Sequence, residues 1–195
     1  MTEASDKAAT SRHPVGSYFR VQPLAGVGDI ESRLWSEVDA GSYGDDEQAY
    51  RSAILAQYSL YVEMADRISH RRAVANSFFI TVNVGIFTLL AGLFEGTSET
   101  PRAVLAVATV ALVGQCFVWF WTLRSYRQLN SAKWKVVGAM ERRLPARAWS
   151  DAEWVALGEG KDPARYWPLT KVETAVPLLF GVAYLATFVV IVLVG

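Results

Sequence analysis

Three runs in this chain each go more than twenty residues without a charged side chain: Ala73 to Phe94, Ala103 to Leu123 and Thr174 to Gly195. Val, Leu, Ile, Phe and Ala dominate all three. A helix of that length, at 1.5 Å per residue, reaches roughly 30 Å, the thickness of bilayer hydrocarbon. Each run is therefore expected to be a transmembrane helix. Charges bracket them: Arg71, Arg72 and Glu95 around the first, Arg102 and Arg124 around the second, Lys171 and Glu173 before the third. A Trp119, Phe120, Trp121 cluster at the end of the second run reads as an interfacial aromatic belt. A soluble all-α protein would leave the three runs unexplained.

Lys and Arg beside the spans set the expected orientation. The link Glu95 to Arg102 carries one, whereas Arg67, Arg71 and Arg72 precede the first span and seven basic side chains fall between Arg124 and Arg147. The positive-inside rule then places the N-terminus and the long middle segment in the cytoplasm and the C-terminus outside. The first fourteen residues lack an apolar h-region and read as a disordered arm, so the first span is expected to direct insertion itself.

Net charge is zero but unevenly spread. Residues 1–50 hold nine acidic and four basic side chains, while Arg124 to Arg147 holds one acidic residue among its seven basic ones. Such a basic collar fixes topology and contacts anionic lipid, or it also meets a phosphate-bearing ligand. In the second case Arg127, Lys133, Lys135, Arg142 and Arg143 offer phosphate contacts and Trp134 a stacking face. The lone cysteine, Cys116, excludes an intrachain disulfide and reads as a small packing residue.

Helical periodicity continues beyond the spans. Tyr50, Ile54, Tyr58, Tyr61, Met64 or Ala65, and Ile68 step by three and four, and no Gly or Pro interrupts Asp46 to Thr81, with Asp45 or Asp46 as N-cap. After the second span Tyr126, Leu129, Val136 or Val137, Met140 and Leu144 keep a helical face until Pro145 closes it. A capping box from Ser150 to Glu153 predicts a short helix ending near Gly158 and Gly160, and Asp29 predicts another reaching Val38. The fold class is thus an all-α membrane protein: a long helical hairpin with cytoplasmic extensions, plus a third C-terminal transmembrane helix. Its divisions are 1–46, an acidic arm; 47–145, the hairpin with spans at 73–94 and 103–123; 146–172, a cytoplasmic connector; and 173–195, the third span.

Catalytic chemistry is sparse. Two histidines, His13 and His70, stand alone, no HExxH, GxSxG or phosphate-cradling loop is present, and no Asp or Glu lies within a span. Neither enzymatic activity, a cofactor nor a metal is expected. Polar groups do interrupt the spans: Asn76 and Asn83 on one face of the first, a small polar stripe of Ser77, Thr81, Gly85, Thr88 and Gly92 on another, and Gln115 in the second. Either the small stripe lets helices approach and the amides bond between them, or a stripe lines a pore when copies assemble. Asn76, Thr81, Asn83, Thr88 and Gln115 are the pore-lining candidates. Both readings require helix partners, so a homo-oligomer is expected, a tetramer favoured.

The run YSLYVEMADRISHRRAVANSFFITVN, Tyr58 to Asn83, followed by a span, a short outer turn and a second span, resembles the SLATT domain family, the two-transmembrane effector module that associates with SMODS-type nucleotidyltransferases and SLOG-type sensors in bacterial phage defence. Arg71, Arg72, Asn76 and Asn83 carry the likeness, which covers about Gln48 to Leu144; the WPLTKVE stretch, Trp167 to Glu173, and the third span look like an extension of it. The resemblance implies a pore-forming effector in the bacterial inner membrane that kills or arrests the infected cell on a nucleotide or oligonucleotide signal from a nucleotidyltransferase, or through that enzyme itself. The alternative is a non-conducting membrane-anchored adaptor or scaffold whose helical hairpin recruits a cytoplasmic partner. A transporter is disfavoured by the missing internal repeat and broken helices.

Overall fold

The computed structural model describes residues 24–44, 46–96, 102–162, 164–166 and 169–194. Among these residues the regular structure is entirely helical: α1 (Val27–Leu34), α2 (Glu47–Gly96), α3 (Arg102–Glu141), α4 (Glu153–Ala156) and α5 (Leu169–Val194). The expectations for the first fourteen residues, Asp45, the outer turn at 97–101, and Trp167 and Pro168 lie outside the described residues.

Helices α2, α3 and α5 are each long and apolar enough to cross a membrane. α2, with 50 residues, is about 75 Å long and α3, with 40, about 60 Å. Both run far beyond a bilayer at the end that carries the charges. Asp46 starts α2 as an N-cap, its Oδ1 accepting from the Ala49 N–H at 3.0 Å.

The seam of the hairpin explains why the two helices remain continuous across the charge boundary. On α3 the buried Leu112, Cys116, Trp119 and Leu123, then Val137 and Met140, share one seven-residue repeat, while Ala139 and Glu141 are buried outside it at the charged end. On α2 the covered face runs through Tyr58, Tyr61, Ala65 and Ile68 to Asn83, also in steps of three and four. A repeat of seven keeps two long helices in contact by slight supercoiling, whether lipid or water lies outside. Ala65, not Met64, is the buried member, and Leu129 points outward.

α5 packs mainly along α3 and reaches α2 through aromatic rings, Phe87 against Tyr184 at 4.8 Å and against Phe180 at 6.1 Å. It begins at Leu169, before the charge-free run, and includes Pro177. Its outer face, Leu179, Val182 and Leu193, is exposed.

Several local expectations are corrected. Trp119 is not an interfacial residue: it is 0 % exposed, stacked on Phe79 at 5.6 Å, and its Nε1–H donates to Asn76 Oδ1 at 3.1 Å. The capping box does not form. Ala148–Ala152 instead makes a π-helical turn before α4, because the Ser150 N–H is taken by the Glu141 carboxylate at 2.8 Å. α1 ends at Leu34 rather than Val38, and Asp29 lies inside its first turn with Gly26 at the N-cap. α3 ends at Glu141, before Pro145 is reached.

Candidate functional site

Two groups of candidate residues emerge, one within the apolar spans and one at the charged end. In the spans Asn83 is the meeting point of all three helices. It is 0 % exposed; its Nδ2 donates to the Phe79 carbonyl at 2.7 Å, and its Oδ1 accepts from the Tyr184 hydroxyl at 2.7 Å, with the Cys116 thiol at 3.9 Å. Asn76 faces the same seam through Trp119. Within the protomer the two amides therefore bond between helices, and the small stripe behaves differently. Ser77, Thr81, Gly85, Thr88 and Gly92 are all exposed, and a Cβ on Gly85 or Gly92 would meet nothing within 4 Å. Thr88 turns its hydroxyl back onto the Val84 carbonyl at 3.0 Å. Gln115 is half-buried. Among the pore-lining candidates, Thr81 and Thr88 face outward from the packed protomer while Asn76 and Asn83 face inward.

At the charge boundary, Arg72 Nε and Glu173 Oε2 lie 3.1 Å apart with side chains 15 % and 11 % exposed, tying α5 to α2. The pair meets the distance for an ion pair but not the angles of a hydrogen bond. Breaking a buried pair costs more than it nets when intact, because one charge is left in a poor solvent. Glu173→Gln should lower stability in detergent by about 1–2 kcal/mol, less than for a fully dry pair since water reaches this edge. The exchange Arg72→Glu with Glu173→Arg should recover most of the loss in thermal unfolding, whereas each single reversal should not.

Further along, Glu141 organises the charged end. This carboxylate is 1 % exposed and accepts from the Tyr58 hydroxyl at 3.0 Å, the Trp149 N–H at 3.0 Å and the Ser150 N–H at 2.8 Å. Desolvation alone would raise its pKa, but the hydrogen bonds from Ser150, Trp149 and Tyr58 outweigh it and hold the carboxyl below its ordinary value. Tyr58 responds in the opposite sense, pushed up to about 12 by burial and by the neighbouring carboxylate. Gly138 lets the connector come close: a Cβ there would stand 3.1 Å from the Ser150 Cβ.

The folded-back connector and α3 enclose a groove of about 860 Å³. Trp134, Trp149, Trp154 and Tyr166 supply rings, Lys135, Arg142 and Arg147 supply cations, and Asp151 and Glu153 supply carboxylates. Three of the six ligand-binding candidates, Trp134, Lys135 and Arg142, line it. The others lie elsewhere: Lys133 sits over the Tyr61 ring at 4.4 Å, Arg143 over Trp35 at 3.8 Å, and Arg127 is exposed. Sequence reasoning missed Glu141, Tyr184, Arg147, Trp149 and Trp154. For Glu141 a signal existed, since it is the one acidic residue of the collar and falls one helical turn after Val137 on the apolar face.

Neither a curated protein nor a solved structure matches the chain significantly. A family model does, that of the octameric membrane protein family (8xMP), over residues 55–193, from the charged extension of α2 almost to the end of α5. It does not confirm the resemblance to SLATT, and it gives no support to a tetramer. The matched region contains the hairpin, the Glu141 cluster, the groove and the third apolar helix. The chain belongs to the octameric membrane protein family, and it is an oligomeric membrane protein.

Proposed function

We propose that eight copies of this chain ring a gated ion path, opened and closed from the cytoplasmic extensions of α2 and α3, with no enzymatic step. The observation that carries this reading is the uncovered stripe on α2: Ser77, Thr81, Gly85, Thr88 and Gly92 lie outside the protomer's own packing. Small polar residues on a lipid-facing surface gain nothing there, whereas between copies or against water they do. The octameric name of the family supports the ring. Orientation follows the positive-inside rule, with the N-terminus and groove in the cytoplasm of a bacterial cell and the C-terminus outside. The anti-phage role, and the nucleotide signal from a nucleotidyltransferase, rest on the SLATT resemblance. Rigid continuity of α2 and α3 from the charged end through the apolar region supplies the lever.

The exposed Trp149, Trp154 and Val155 at the charged end favour one second reading, a non-conducting adaptor that recruits a cytoplasmic partner. Induced expression with a membrane-potential dye separates the two. Wild type should depolarise the cells, and the double variant Thr81→Leu, Thr88→Leu should not, at equal membrane abundance, because a dewetted ring blocks ions. Wild-type cells that keep their potential would favour the adaptor.

A further inference from the structure

The groove beside α3 brings indole rings and cations onto one surface. Trp134 and Trp149 pack against each other, ring centroids 5.4 Å apart at 42°, and both line the groove. Trp154 also lines the groove, its ring 3.0 Å from where a Cβ of Gly160 would stand, and Gly160 has a positive φ of 68°, which suits glycine. About 860 Å³ suits a ligand of drug-like size. Planar rings stack on indoles, and Arg and Lys take phosphate.

The cations here are already held by the chain itself. Lys135 Nζ donates to the carbonyls of Leu24 at 3.3 Å and Ala25 at 3.1 Å, and Arg142 Nη1 meets Glu31 Oε2 at 3.3 Å. Arg147 pairs with Asp151 at 3.5 Å, both exposed. The first two contacts come from one segment, the approach to α1 and α1 itself, which lies before the family match begins. Distance argues against a lipid headgroup as occupant. Gly138, on the groove floor, lies fifteen residues beyond Leu123, roughly 22 Å along the helix axis from the end of the apolar run.

We propose that this groove is a binding site for a nucleotide, a planar base carried on phosphate, and that the chain from Leu24 through α1 is its built-in competitor, because Glu31 and two backbone carbonyls hold the cations the phosphate needs. This site rests on the nucleotide signal of the proposed function but not on the pore, since binding is read without conductance.

The test is calorimetric titration of the full-length protein in detergent with ATP, GTP, cyclic AMP and a triadenylate, and with tripolyphosphate as a ring-free control. At least one nucleotide should bind saturably and at least tenfold more tightly than tripolyphosphate. Trp149→Ala should weaken it by about 5- to 150-fold, the range for one stacked base, and Trp149→Phe should restore most of that. Glu31→Gln should tighten it by about two- to fivefold, as expected for loss of one exposed ion pair. If no nucleotide binds either wild type or Glu31→Gln, or if tripolyphosphate binds equally well and both Trp149 variants leave affinity unchanged, the site is refuted. Nucleotide binding with no change in Glu31→Gln overturns the competitor.

Discussion

Glu141→Ala should detach the connector from α3 and cost the charged end about 3–5 kcal/mol, the largest effect of any single substitution considered. The carboxylate is the shared acceptor for a hydroxyl on α2 and two backbone N–H groups of the connector, all part-buried. Alanine leaves three donors without a partner and a hole between three elements. Limited proteolysis between Pro145 and Lys161 should become fast in the variant while the spans stay protected. An unchanged cleavage rate would mean that the connector is held by its tryptophans instead.

The same group sets a pH dependence. Because its folded pKa lies below the ordinary carboxylate range, the unfolded or detached state takes up a proton first, and the stabilisation is complete above that ordinary range. It is lost as pH falls through the lowered folded value. At the alkaline end Tyr58, raised from 10.0 to about 12, favours the docked state below 10 and loses that contribution as pH rises toward 12. Glu141→Gln should flatten the acid limb of connector protection and also weaken the alkaline limb, leaving it only the part of the Tyr58 shift that burial causes.

Asn83→Leu should lower the stability of the three-helix packing by about 2–3 kcal/mol, more than Tyr184→Phe does. Leucine strands the hydroxyl of Tyr184, a buried residue (4 % exposed) that has Asn83 Oδ1 as its acceptor. Phenylalanine instead leaves Asn83 its Phe79 bond and the weak Cys116 contact. The double variant should be more stable than the sum of the two losses predicts, because removing both partners leaves no orphaned group in hydrocarbon. Additive losses in thermal unfolding would show that the hydroxyl finds another acceptor. The effect also separates Asn83 from Thr81, whose replacement by Leu should leave folding intact.

What could be read in the sequence was what depends on local spacing. Absence of charge over twenty residues gave the three spans, and steps of three and four gave the covered face from Tyr58 to Ile68. The cap was legible to within one residue, as Asp45 or Asp46, because capping acts over three residues, and Asp46 makes the bond. Pairings set by how distant segments come to lie together were not legible. Asn83 and Tyr184 are 101 positions apart, and nothing local distinguishes an amide that bonds within a protomer from one that faces a pore. Trp119 looked interfacial because its position along the span is right; its rotation about the helix axis, which puts it against Phe79, depends on the partner helix. Ser150 to Glu153 carried the pattern of a capping box, yet the buried Glu141 carboxylate takes the Ser150 N–H that the Glu153 side chain would have accepted from. The groove was half visible, through Trp134, Lys135 and Arg142, while Arg147, Trp149 and Trp154 join it only once the connector folds back on α3.

The central claim is that an assembly of these chains conducts. Planar-bilayer recording from the purified oligomer, its copy number fixed by native mass spectrometry in the same preparation and with the nucleotide panel added, tests that claim most directly. The account predicts discrete conductance steps from an assembly of eight that disappear in the Thr81→Leu, Thr88→Leu variant at unchanged copy number. An intact assembly of eight whose bilayers stay sealed under every condition would contradict it.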